Sequence, residues 1–129
     1  EREFDSDPSA YLNEEGRYDV INFDPNMRMV TSVSHSVGDY KFMTRWSYYG
    51  EASNFNSDEV ETYDPISMFD IELSYFADEL VLALGVRNLF DEYPAEDTVG
   101  DACCGRIYNS GQGMSWNGGY WYLKAKRSF

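Results

Sequence analysis

Cysteine is nearly missing from this chain of 129 residues, and the two present, Cys103 and Cys104, are neighbours. A disulfide between adjacent residues needs a strained ring outside ordinary disulfide geometry. The pair therefore reads as two thiols or as partners for something beyond this chain, with a vicinal disulfide as the alternative. No Cys-x-x-Cys or Cys/His spacing marks a zinc site. Histidine is scarcer still: His35 stands alone. No Ser/His/Asp set, phosphate-cradling glycine loop or paired-carboxylate geometry can be argued, so no enzyme, cofactor or metal site is expected. Positive charge is also short, with 10 Lys and Arg against 23 Asp and Glu and a formal net charge of −13. A nucleic-acid partner, which needs a clustered basic surface, is excluded. No run of ~18 apolar residues exists, so no helix is available to cross a bilayer, although short alternating strands are not excluded by that. The chain opens at Glu1 with no Met and no signal-peptide pattern. The expectation is a piece whose targeting signal lies upstream.

Large rings, by contrast, are abundant. Eleven Tyr, 8 Phe and 3 Trp make up 17% of a strongly acidic chain, and the rims of a membrane barrel are one place where rings collect. The clearest order along the chain has period two, the mark of a strand with two unlike faces. Phe69, Ile71, Leu73 and Tyr75 alternate with Met68, Asp70, Glu72 and Ser74. Leu80, Leu82, Leu84 and Val86 form an apolar row against Val81, Ala83, Gly85 and Arg87. Tyr40, Phe42, Thr44, Trp46 and Tyr48 oppose Lys41, Met43, Arg45, Ser47 and Tyr49. Five strands follow from this reading, at 27–36, 40–50, 66–76, 80–90 and 119–129.

Their connections are of two kinds. The turns at 37–39 and 77–79 are minimal, whereas 1–26, 51–65 and 91–118 are long, polar and acidic. Short and long connections in strict alternation, with strands of about ten residues, fit a transmembrane barrel with periplasmic turns and outer loops. The expected fold is all-β: an antiparallel meander forming the C-terminal strands of a large transmembrane barrel. Five strands alone would leave two open edges in hydrocarbon, so further strands are expected upstream. The alternative is a soluble all-β carbohydrate-binding or adhesion module, with Trp116, Tyr120 and Trp121 as its binding face.

The stretch Asn88-Leu89-Phe90-Asp91-Glu92-Tyr93, followed by a long loop and a last strand ending in Phe129, resembles the end of TonB-dependent outer-membrane receptors. Arg45-Trp46-Ser47-Tyr48-Tyr49-Gly50 is similar to a strand-end pattern of the same family. Arg127 departs from it, because the family usually has an aromatic or apolar residue there. The resemblance implies a plugged barrel of roughly 22 strands in the outer membrane of a Gram-negative bacterium. It also implies active uptake of an iron–siderophore complex, cobalamin or carbohydrate. The implied partners are the TonB complex and a plug domain through upstream parts, outer-membrane lipid and lipopolysaccharide, the barrel-assembly machinery, and a small-molecule or metal-chelate ligand. Trp121, Leu123 and Phe129 would form the C-terminal assembly signal.

On this reading Lys41, Arg45, Asp70, Glu72, Lys124 and Lys126 face the lumen. They could line a substrate path or hold a plug, or they could simply make a wet interior polar. In the last outer loop Tyr108, Asn109, Gln112 and Trp116 mix amides with rings, a combination suited to a sugar or flat chelate and equally to an exposed flexible loop. The acidic loops read as solvated surface, without the ligand spacing of a Ca²⁺ site.

Overall fold

The computed structural model describes residues 13–56, 59–96, 107–109 and 111–128. Cys103, Cys104 and Phe129 lie outside the described residues. In chain order the elements are α1 (Glu14–Asn22), β1 (Arg28–Val37), β2 (Tyr40–Tyr49), β3 (Ala52–Asn56), β4 (Glu59–Tyr63), β5 (Ile66–Ala77), β6 (Leu80–Arg87) and β7 (Tyr120–Arg127). The main sheet is a five-stranded antiparallel meander in the order β1-β2-β5-β6-β7. β6 ends at Arg87 rather than running on to Phe90, because Asn88 turns into the left-handed region at φ 49.

Two-residue turns set the register. Val37 pairs with Tyr40 across Gly38-Asp39, and Ala77 with Leu80 across Asp78-Glu79. Gly38 sits at φ 54, where a β-carbon would be strained, and Asp78 tolerates φ 37 as short polar residues do. Both turns, and the end of β7, lie at one end of the strands. The phenylalanine amide of Phe76 donates to the Asp39 carbonyl at 2.8 Å, and Ser128 N to Glu79 O at 2.9 Å. Arg127 has its guanidinium 3.8 Å from the Glu79 carboxylate, beside the second turn.

The opposite end carries structure where long loops were expected. Within 51–65, β3 and β4 form a separate two-stranded hairpin. Within 1–26, α1 is capped by the Asn13 side chain, which accepts from Gly16 N at 2.8 Å, and Glu14 and Glu15 suit the positive helix start. The helix docks on β3: Tyr18 and Phe55 have ring centroids 5.8 Å apart, and Phe55 N donates to Asp19 Oδ1 at 3.0 Å.

Packing against the main sheet is nearly absent among the described residues. Among them the buried apolar side chains are Tyr49, Ala52, Tyr63, Ala83 and Met114, of which Ala52 and Tyr63 pair across the β3-β4 hairpin and only Tyr49 and Ala83 lie on strands of the main sheet. The apolar row instead stands open, with Val33 65%, Leu84 53%, Leu123 68% and Trp121 75% exposed. A soluble monomer rarely exposes so continuous an apolar face, so this surface is built to be covered.

Candidate functional site

Strand register turns the alternate residues of the sequence into a charged network on the polar face. Arg45 pairs with Asp70 across β2 and β5. Arg87, at the end of β6, donates from Nη1 to Asp70 Oδ2 at 2.7 Å, while Arg45 Nη1 lies 4.0 Å from the same oxygen. Asp70 Oδ1 accepts from the Asn88 amide at 2.9 Å. One register step nearer the short turns, Glu72 opposes Gly85, which opposes Tyr122. Glu72 Oε2 accepts from the Tyr122 hydroxyl at 2.5 Å and from Lys124 Nζ at 3.0 Å.

Of the expected inward residues, Arg45, Asp70, Glu72 and Lys124 thus meet in two adjoining clusters. Lys41 and Lys126 share the face, opposite Ser74 and Val81, but take no ion pair among the described residues. Arg87, Asn88 and Tyr122 belong to the network and were absent from the expected set. Parity already carried the signal for two of them: Arg87 and Tyr122 occupy the polar positions of their strands.

Above β6, the Asn88-Leu89-Phe90-Asp91-Glu92-Tyr93 stretch folds as a self-bonded corner. The Asn88 amide side chain donates to Glu92 O at 2.7 Å and accepts from Glu92 N at 3.0 Å, imitating a pair of backbone bonds. Leu89 N donates to Phe69 O at 2.7 Å, and the Phe69 and Phe90 rings meet edge-on at 5.6 Å. Asp91 Oδ1 accepts from Gly119 N at 2.6 Å and so ties the corner to the start of β7. A β-carbon on Gly118 would collide with the Tyr93 hydroxyl and Asp91, which explains glycine there. The Asp91 charge, then its hydrogen bond to the phenol, pushes the Tyr93 pKa above the ordinary phenol value.

The loop candidates separate by burial. Gln112 is 1% exposed; its Oε1 accepts from Ala95 N at 2.7 Å and its Nε2 donates to Asp64 O at 3.1 Å. Asn109 is also buried, its Oδ1 accepting from Gly111 N at 2.5 Å and its backbone N–H donating to Ala95 O at 2.9 Å. Gln112 thus ties the last connection to 51–65, whereas Asn109 bonds within the last connection. Tyr108 stacks on Tyr93 with centroids 5.5 Å apart, and Trp116 remains exposed. Trp121 and Leu123 stand on the apolar face, outside the charged network.

Compared by sequence, the chain matches no family model and no curated protein. Compared by structure, it superposes on a mutant of the ferric enterobactin receptor of Pseudomonas aeruginosa with a TM-score of 0.64 and 18% identity. The two share a fold. The match takes in 82% of this chain and 16% of the receptor, so the chain spans about a sixth of that protein's length. At that identity the likeness extends to backbone architecture, an antiparallel β meander within a receptor, and to nothing finer.

Proposed function

We propose that this chain is part of the wall of an outer-membrane, TonB-dependent uptake receptor for a scarce nutrient such as an iron–siderophore complex, cobalamin or a carbohydrate. The observation that carries the reading is the two-faced single-layer sheet, apolar and open on one side and charged on the other. In a barrel the first face meets lipid and the second an interior of water or plug. Rings mark both ends of the apolar face, with Tyr40 and Tyr75 near the short turns at 5.0 Å and Trp46 and Tyr48 near the long connections at 6.1 Å. The span from Tyr40 to Tyr48 in β2 is roughly 27 Å along the strand at ~3.4 Å per residue. A barrel tilt of ~40° reduces that to roughly 20 Å, close to the ~25 Å apolar band of such proteins.

The two outer edges, β1 and β7, have backbone groups without strand partners among the described residues. In hydrocarbon these would need further strands of the same barrel. The fold likeness to a ferric enterobactin receptor supports a receptor barrel and leaves the nutrient open.

The test is fractionation of cells making the protein, followed by gel migration with and without boiling and by uptake assays with and without an energised TonB system. The expected result is recovery in the outer membrane, a heat-dependent gel shift, and TonB-dependent accumulation of a metal chelate, cobalamin or sugar. Recovery as a soluble monomer with cooperative unfolding in plain buffer would sink the proposal.

A further inference from the structure

A cleft of about 340 Å³ opens on the polar face at the long-connection end, between Arg45, Asp70, Arg87 and Tyr120 on the wall and Ser115 and Asn117 on the last connection. Its charges are unequally matched. Asp70 is occupied on both oxygens, by Arg87 at 2.7 Å and the Asn88 amide at 2.9 Å. Arg45 stays at 4.0 Å, the outer limit of an ion pair, and its Nε–H is buried with no acceptor. A buried donor without an acceptor is costly, and natural structures seldom retain one unless something else completes it. Two guanidiniums against one carboxylate leave a positive excess here, within a chain of net charge −13.

We infer that this cleft binds a carboxylate-bearing ligand, gripped by Arg45. The guanidinium plane offers parallel N–H donors that match the two oxygens of a carboxylate, a fit that an ammonium lacks. Arg87, held by Asp70, supplies a fixed positive wall. The Ser115, Asn117 and Tyr120 side chains are exposed around the opening and bring further donors. A carboxylate entering the cleft accepts from the exposed end of Arg45, and Nε gains its acceptor when the guanidinium turns towards it. The inference rests on the receptor reading and narrows it to cargo with an anionic carboxylate. The same chemistry is available from an acidic side chain elsewhere in the protein, so the experiment separates the two sources.

The full protein, purified in detergent, is titrated calorimetrically with succinate and with uncharged succinamide. Succinate is expected to bind about tenfold or more tightly than succinamide, the scale of a charge-assisted pair. Arg45→Gln should lose about tenfold in succinate affinity with an unchanged heat-dependent gel shift, and Arg45→Lys should fall between. Equal affinity in Arg45→Gln and the parent, or no succinate binding by the parent, overturns the inference. If Arg45→Gln keeps succinate binding but lowers the unfolding temperature, the carboxylate is the protein's own and the ligand site is overturned. Recovery of the protein away from the outer membrane would defeat the receptor reading separately, whatever the titration gives.

Discussion

The Tyr122 ring on β7 occupies the space over Gly85 on β6 that a β-carbon would fill, and from there its hydroxyl reaches Glu72 on β5. One glycine thus lets a single side chain bridge three strands. Lys124 joins the same carboxylate and lies 4.4 Å from the centre of the Tyr122 ring.

Gly85→Ala is expected to displace that ring and cost about 1–3 kcal/mol, as overpacking of a filled site does. Tyr122→Phe keeps the ring and loses one hydrogen bond, for about 1 kcal/mol. Unfolding temperatures read by the heat-dependent gel shift should rank parent, Tyr122→Phe, Gly85→Ala. Combined with Tyr122→Ala, the Gly85→Ala change should become nearly silent, because the collision partner is gone.

The apolar face gives a sharper contrast. Leu84 and Ala83 are neighbours on opposite faces of β6, opposing Leu123 and Lys124 of β7. If lipid covers this face as proposed, Leu84→Lys should cost about 2–4 kcal/mol for a cation in mid-bilayer and reduce recovery in the membrane. Ala83→Ser should leave recovery unchanged. Equal tolerance of both changes would mean that lipid does not cover the Leu84 face.

At the corner above β6, Asp91 holds Gly119 N and raises the Tyr93 pKa, through its charge first and its hydrogen bond second. The sign follows directly: the neutral phenol is the form favoured in the folded state. The contact is complete below the ordinary phenol pKa and fades as pH rises through the raised one. Site-specific ¹³C-tyrosine NMR should show Tyr93 titrating later than an exposed tyrosine. Asp91→Asn should bring it back towards the ordinary value and speed hydrogen exchange at Gly119.

Gln112 joins two connections from the inside, through Ala95 N and Asp64 O. Gln112→Ala strands a buried donor and acceptor, worth about 1–3 kcal/mol of local stability. Limited proteolysis should then cut residues 107–118 sooner than in the parent. Gln112→Glu should be worse, since it keeps the acceptor for Ala95 but sets a buried carboxylate against the Asp64 carbonyl.

Several features were open to view in the residues alone. The alternation in 66–76 and 80–86 was legible because the charged and apolar side chains there differ sharply. α1 was hidden because Glu14–Asn22 has no apolar helical stripe and buries no residue; its helix is held by the Asn13 cap and by docking on β3. β3 and β4 were hidden because five-residue strands rich in Asn, Ser and Glu have weak strand propensity, and pairing with each other supplies what propensity does not. Gln112 and Trp116 looked alike as candidates for ligand contact. Only burial, which depends on what Ala95 and Asp64 bring near, told the staple from the exposed ring.

Sequence by itself determined the two faces of the main sheet, because successive side chains of an extended chain must point in opposite directions. It could not determine which members of the polar face meet. That depends on register, on the two-residue turns and on a chain reversal that brings Tyr120–Arg127 beside Leu80–Arg87 from across a long connection. Tertiary structure therefore decided that Asp70 is satisfied by Arg87, that Glu72 is reached by Tyr122, and that Arg45 is left with a donor to give. The physical reason is range: alternation is local to each strand, whereas a hydrogen bond requires two distant strands to arrive within about 3 Å of each other.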